Sequence, residues 1–290
     1  GASSPSDCAT ATPAWIRPRP TPAAPAGGTI VTRIAAMLLL AGMSHSSPAV
    51  AQQETTTVQP PAALAMPVPF GVGEKLSYVV RYGWMNPGRA TMEVLGVEDL
   101  RGRAALHTRF ELKGSIPFFS VHYLLESWVD QKNFTSMRFL QDSDDDPSNR
   151  DRRFEIFPER QTYSLNDGEE LPTVPEPLDE GALLYFVRTM TLEVVKTYEL
   201  NRYFRPDRNP VIVKVLRRDT VTVPAGRFST IVIQPIIKSR GIFSEGGQAL
   251  IWLSDDKDRL MVQMRVRLAK VAATISLQLT SHRPPTSATP

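Results

Sequence analysis

Residues 221–268 read VTVPAGRFSTIVIQPIIKSRGIFSEGGQALIWLSDDKDRLMVQMRVRL, and this stretch decides the fold class. Three apolar runs are separated by turn chemistry: Pro224-Ala225-Gly226, the glycine-rich link from Gly241 to Gly247, and Ser254 to Asp258. In the last run Leu260, Val262, Met264, Val266 and Leu268 are apolar, while Gln263, Arg265 and Arg267 are polar. A period of two is the signature of a strand with one buried face, so the stretch predicts antiparallel hairpins.

The same rhythm recurs outward in both directions. Leu76, Tyr78, Val80 and Tyr82 alternate with polar neighbours, and Asn86-Pro87-Gly88 punctuates the chain before Ala90, Met92 and Val94. Leu106 to Leu112, Phe119 to Val129, Phe134 to Leu140, Arg153 to Phe157, Gln161 to Leu165, Val211 to Leu216 and Val271 to Leu279 supply further strands. Thr197 to Phe204 is ambiguous. Leu171 to Pro177 carries three prolines and is excluded from a central strand. One helix is predicted, with Asp179 as N-cap and Leu183, Leu184, Phe186, Val187 and Met190 as its apolar stripe. No internal repeat is legible. The expected fold is all-β: a strongly curved antiparallel sheet, open or barrel-like, with one short helix packed on it.

The first seventy residues differ in character, holding many of the chain's 25 prolines. Arg33, an apolar run from Ile34 to Met43 and Ala49-Val50-Ala51 form a basic start, a short hydrophobic core and a small-residue cleavage site. That pattern predicts a secretory signal peptide over 31–51 and a periplasmic product; a disordered Ala/Pro tail is the competing reading. Residues 1–30 are expected to be a non-native upstream extension, 52–69 a disordered linker, 70–280 a single β domain and 281–290 a disordered tail. The net charge of +3 falls to about +1 without residues 1–51, so no nucleic-acid surface is implied. The single cysteine, Cys8, goes with the leader, so the mature chain has no disulfide and relies on its core. No transmembrane span is expected in it.

Short motifs along the chain resemble one family. They are Gly73-Glu74-Lys75-Leu76-Ser77-Tyr78, Gly88 with Ala90, Leu178-Asp179 with Arg188, Val223-Pro224-Ala225-Gly226-Arg227-Phe228 and Trp252-Leu253-Ser254-Asp255-Asp256. In order and spacing they are similar to the secreted bacterial family called domain of unknown function 3108, over about residues 70–280. The resemblance implies an exported, mostly β protein of Gram-negative-type envelopes and carries no catalytic residue with it.

Chemistry is sparse. Asp144-Asp145-Asp146 lacks the glycine bend and closing glutamate of a calcium loop, and Ser254-Asp255 reads as a side-chain-capped turn. His122 and Glu126 would stand ~13 Å apart along one strand. No zinc spacing, phosphate loop or nucleophile motif is present, so neither a metal nor a cofactor is expected. What stands out is aromatic content on faces that should be wet: Trp84, Phe118, Trp128, Phe139 and Phe243. These residues are either core beneath the helix and loops or the lining of an apolar cavity. Phe118, His122, Trp128, Phe139 and Phe243 are the cavity candidates. The expected function is therefore a non-enzymatic periplasmic protein that binds or carries a lipid-like ligand. The alternative is a structural module that supports envelope assembly by engaging a protein partner.

Overall fold

Residues 68–116, 119–143, 151–238, 249–268 and 273–286 are described by a computed structural model of the chain. Eight strands come first: β1 (Lys75–Tyr82), β2 (Met85–Leu100), β3 (Arg103–Ile116), β4 (Phe119–Asp130), β5 (Ser136–Ser143), β6 (Arg152–Phe157), β7 (Thr162–Leu165) and β8 (Leu171–Pro172). Helix α1 (Glu180–Thr189) follows, and then β9 (Thr197–Leu200), β10 (Val211–Val223), β11 (Gly226–Ile236), β12 (Leu250–Ser254), β13 (Met261–Leu268) and β14 (Ala273–Arg283). All fourteen strands lie in one antiparallel sheet, ordered β8-β7-β6-β5-β4-β3-β2-β1-β14-β13-β12-β11-β10-β9. The expected all-β class with a single α-helix holds among the described residues. The last strand outruns its expected end: Arg283 pairs with Lys75, so Ser281–Arg283 belong to the sheet and not to a tail.

The sheet is not closed by pairing between β8 and β9, yet its two ends come together. Leu178, just after β8, makes a parallel bridge with Tyr203, just after β9. Phe204 packs edge-on against Phe154 of β6 at 5.0 Å and Tyr163 of β7 at 5.2 Å. Strands at opposite ends of the order therefore share one core, which requires strong curvature. Leu76, Val94, Leu125, Ile156, Val213, Ile233, Met264 and Leu277 fill that core at 0% exposure.

Helix α1 is placed by its N-terminus. The Asp179 side chain accepts a hydrogen bond from the Ala182 amide, as an N-cap should. Gly181 looks like a helix weakener in the sequence, but it is a contact residue. A Cβ there would stand 2.5 Å from Ser127 Oγ and 3.4 Å from Leu125 Cβ, so glycine lets the helix approach β4 closely.

The structure also contains a repeat that the sequence conceals. In β1–β2, the Gly73 amide donates to Val94 O at 2.9 Å and the Val94 amide to Glu74 O at 2.9 Å. In β9–β10, the Val195 amide donates to Val215 O at 2.9 Å and the Val215 amide to Lys196 O at 2.8 Å. A bulge follows both valines, at Leu95 against β3 and at Leu216 against β11. Two strands on, Trp128 of β4 and Trp252 of β12 are each followed at once by another bulge. The Trp128 indole N–H donates to Glu98 at 2.7 Å, and that of Trp252 to Asp219 at 3.1 Å. Arg138 and Arg265, from the next strand in each case, lie over these rings at 5.5 and 5.1 Å. Strands β1–β5 and β9–β13 are thus two copies of one five-stranded unit, and β14 joins the second copy to β1 of the first.

The repeat exposes one local conflict. Gly73 and Val195 occupy equivalent positions, with φ of 84° and 66°. Glycine takes that conformation freely, whereas a β-branched residue is strained there. Val195 is 86% exposed, so little packing is lost when it is changed. Val195→Gly is expected to raise the unfolding free energy by about 1 kcal/mol, the strain relieved exceeding the added entropy of the unfolded chain. Urea titration measures it, and a loss of stability would show that no strain is stored there.

Candidate functional site

The most elaborate polar arrangement among the described residues surrounds Arg188 in the last turn of α1. Its side chain is fully buried, and Glu74 opposite it is 2% exposed. The guanidinium donates to both Glu74 carboxylate oxygens, at 2.7 and 2.9 Å. It also donates to Arg259 O at 3.1 Å, Asp258 O at 3.0 Å and Pro69 O at 3.2 Å. Its faces lie near the rings of Phe70 and Tyr185, at 5.0 and 5.9 Å. A planar cation with a fork of donors suits this combination of bidentate carboxylate and carbonyls. One side chain thereby ties the helix, the approach to β1 and the β12–β13 turn. That turn is itself closed by side chains, as read from Ser254-Asp255: the Leu260 amide donates to Ser254 Oγ, and the Asp258 and Arg259 amides to Asp256.

A second buried cluster lies at the other end of the helix. Asp179 is completely buried, and its Oδ1 accepts from Ser127 Oγ at 2.6 Å and the Ala182 amide at 2.8 Å. Its own amide donates to Ser136 Oγ at 2.9 Å. Burial pushes the Asp179 carboxyl up to about 6, against the pull of those hydrogen bonds. Burial likewise drives Tyr78 and Tyr185 well above their ordinary value; the Tyr78 hydroxyl donates to Met261 O at 2.9 Å.

Open clefts on the surface of the described residues include two of similar size. One, of about 530 Å³, lies beside Arg188 and mixes Val68 and Met190 with Asp256 and Lys257. The other, of about 510 Å³, is bordered by Arg101, Arg103 and Glu159. Its cations are already engaged, Arg101 by Glu155 and Arg103 by Asp130.

Of the five cavity candidates, the three that are described are not brought together. Phe118 and Phe243 lie outside the described residues, as do Asp144, Asp145 and Asp146. Phe139 is in the core on the helix side of the sheet, 5.7 Å from Phe154 and 6.1 Å from Phe204. Trp128 and His122 point to the opposite, outer side. Trp128 stacks on His107 at 4.0 Å, and the indole bond to Glu98 helps hold that carboxyl below its usual range. His122 Nε2 is 3.2 Å from Glu111 Oε1. Ion pairs surround these groups, including Arg109–Glu126 and Arg138–Glu155. Trp84 is 91% exposed.

Residues 77–278 match the profile of the family described as protein of unknown function (DUF3108). The chain belongs to the DUF3108 family. The DUF3108 match begins three residues after Glu74 and includes Asp179, Arg188 and both outer-face tryptophans. No curated protein matches the chain. Among solved structures it is similar to a putative lipoprotein from Parabacteroides distasonis, at 12% identity and a TM-score of 0.33, covering 74% of this chain and 98% of that one. It is also similar to a putative exported protein with YmcC-like fold from Bacteroides fragilis, at 11% identity and a TM-score of 0.32, covering 74% of this chain and 98% of the other. A hypothetical protein from Chlamydia trachomatis matches at 9% identity and a TM-score of 0.30, covering 76% of this chain and 91% of that one.

Proposed function

We propose that this DUF3108 chain is a non-enzymatic protein, exported to the periplasm, that acts as a structural and protein-interaction module of the envelope. The observation that carries this reading is the close burial of the described side chains on the concave side. A carrier needs an apolar hollow of a few hundred Å³. A side chain fronting even a water-sized hollow keeps some accessible surface, and eight inner-face residues distributed over eight strands keep none. Of the candidates for a lipid pocket, Phe139 lies on the helix side of the sheet and His122 and Trp128 on the other. The non-enzymatic part is supported by the duties of the buried ionisable groups: Glu74 and Arg188 hold each other, and Asp179 caps the helix. No helix among the described residues is long and apolar enough to cross a membrane.

A module of this kind engages partners through its edges and outer face, and an unpaired strand edge is a ready template for another chain. Strand β9 ends the sheet on one side, with Glu199 exposed, and β8 on the other, with Leu171 44% exposed. A photo-crosslinking residue at Glu199 or Leu171 is expected to capture one defined envelope protein in the native host. Native mass spectrometry of the same material is expected to show the chain without bound lipid. A lipid recovered at one per chain, whose removal lowers Tm, would replace this reading with the carrier.

A further inference from the structure

Basic side chains among the described residues mostly meet a carboxylate, and four of those that do not lie together on one face. Arg89 of β2 stands opposite Val79 of β1. Arg81, two residues further along β1, stands opposite Ser276 of β14, and Ser276 opposite Arg265 of β13. Arg267 follows two residues on. Their alternates Tyr78, Val80, Ala90, Leu277, Met264 and Val266 are buried in the core, so all four arginines leave the sheet on its outer face. Adjacent strands lie ~4.8 Å apart, which places the four within about 20 Å of one another. Arg89, Arg265 and Arg267 are exposed and Arg81 is half-buried. None forms an ion pair with a carboxylate among the described residues. One step away on the same face the charges are matched: Lys75 and Arg283 both meet Glu93, and Lys113 meets Glu111. Arg265 lies over the Trp252 ring, a contact made through the guanidinium face that leaves its in-plane donors for oxygen acceptors.

An independent feature lies beside this patch. Trp84 occupies the turn between β1 and β2, three residues after Arg81 and five before Arg89, and is 91% exposed. An indole combines an apolar ring with one N–H donor and favours the headgroup zone of a bilayer, where both are satisfied. Arginines without protein partners, gathered on one face, complement phosphate oxygens. We infer that the outer face of β2-β1-β14-β13 docks on an anionic phospholipid surface, with Trp84 in the headgroup layer and Arg81, Arg89, Arg265 and Arg267 on the phosphates. A soluble polyanion would use the arginines but leave the indole in water; the combination selects a membrane. This inference goes beyond the proposed envelope module and is read on purified protein, so either can fail without the other.

The test is partition of the full chain onto vesicles of phosphatidylcholine with or without phosphatidylglycerol. Residues 1–67 are common to every variant, so the differences between variants report the patch. The chain is expected to bind the anionic vesicles, to release as salt is raised, and to show a blue-shifted tryptophan emission. A variant with Arg89→Gln, Arg265→Gln and Arg267→Gln is expected to lose about 100-fold in partition, roughly fivefold per arginine. Trp84→Ala is expected to remove the added blue shift with unchanged circular dichroism. Equal binding by wild type and the triple variant would overturn the proposal. So would equal affinity for a soluble acidic polymer, or a blue shift that persists in Trp84→Ala.

Discussion

Arg188→Met is expected to lower the unfolding free energy by about 3–5 kcal/mol, the usual cost of stranding one member of a buried ion pair. Methionine fills much of the arginine volume, so the loss comes mainly from polar groups left unpaired. Glu74 would keep a buried charge, and the carbonyls of Pro69, Asp258 and Arg259 would each lose a donor. With typical domain stabilities of about 5–15 kcal/mol, that is a large share of the total. Adding Glu74→Gln removes the stranded charge and is expected to recover part of the loss. The recovery is smaller than in a simple ion pair, because the three carbonyls remain without their donor. Chemical denaturation of the two single variants and the double variant closes a thermodynamic cycle. A cost below about 1 kcal/mol for Arg188→Met, well under the usual range for a broken buried pair, would show that water or movement of the β12–β13 turn replaces the arginine readily.

Acidification from pH 7 toward 5 is expected to stabilise the protein through Asp179. Its carboxyl titrates near 6 in the folded chain and near 3.8 when unfolded, because burial disfavours the charged form. A raised folded value means that the native state holds this proton more tightly. The stabilising contribution is complete below the unfolded value and is lost as pH rises through about 6. A difference of that size corresponds to roughly 3 kcal/mol. Carboxyls held low in the native state, among them Glu98 and Asp219 with their indole partners, act in the opposite direction at lower pH. Imidazoles ordinarily titrate between about 5 and 7 as well, so comparison with a variant at Asp179, and not the pH range alone, isolates this carboxyl. Asp179→Asn keeps an oxygen for the Ala182 amide and removes the titration. Whatever its cost at constant pH, the variant is expected to flatten the dependence of Tm on pH in that window. An unchanged slope would assign the effect to another group.

Much of the sheet was legible because its cause is local. Met264, Val266, Leu277 and Leu279 point inward and Arg265 and Arg267 outward, because side chains alternate along a strand. The helix was legible for the same reason: Asp179 caps it from within the segment that it caps. The Arg188–Glu74 clasp joins residues 114 positions apart, and one charge at each end leaves no periodic trace. Family resemblance marked both residues without giving a role. The two-copy architecture is concealed because its marks are geometric. Bulges after Val94 and Val215, or after Trp128 and Trp252, depend on hydrogen-bond register, and few side chains are shared between the copies. Trp128 was visible as an aromatic residue on a polar strand face, but its partners come from three other strands. A slot between His107, Glu98 and Arg138 covers it, with no need of a ligand.

The pairing of β1 with β14 has a consequence for how the molecule is made. The two strands are neighbours in the sheet but stand about 200 positions apart, as in Lys75 opposite Arg283. On a chain produced from its N-terminus, one whole side of β1 has no backbone partner until β2–β13 have emerged. Closing so long a separation adds a slow, entropically opposed step, and during that interval the bare edge can recruit a strand from another nascent molecule. Truncation within β14 should therefore yield aggregates before it yields a merely weakened monomer, and a holdase that shields extended backbone should matter most until β14 has reached β1.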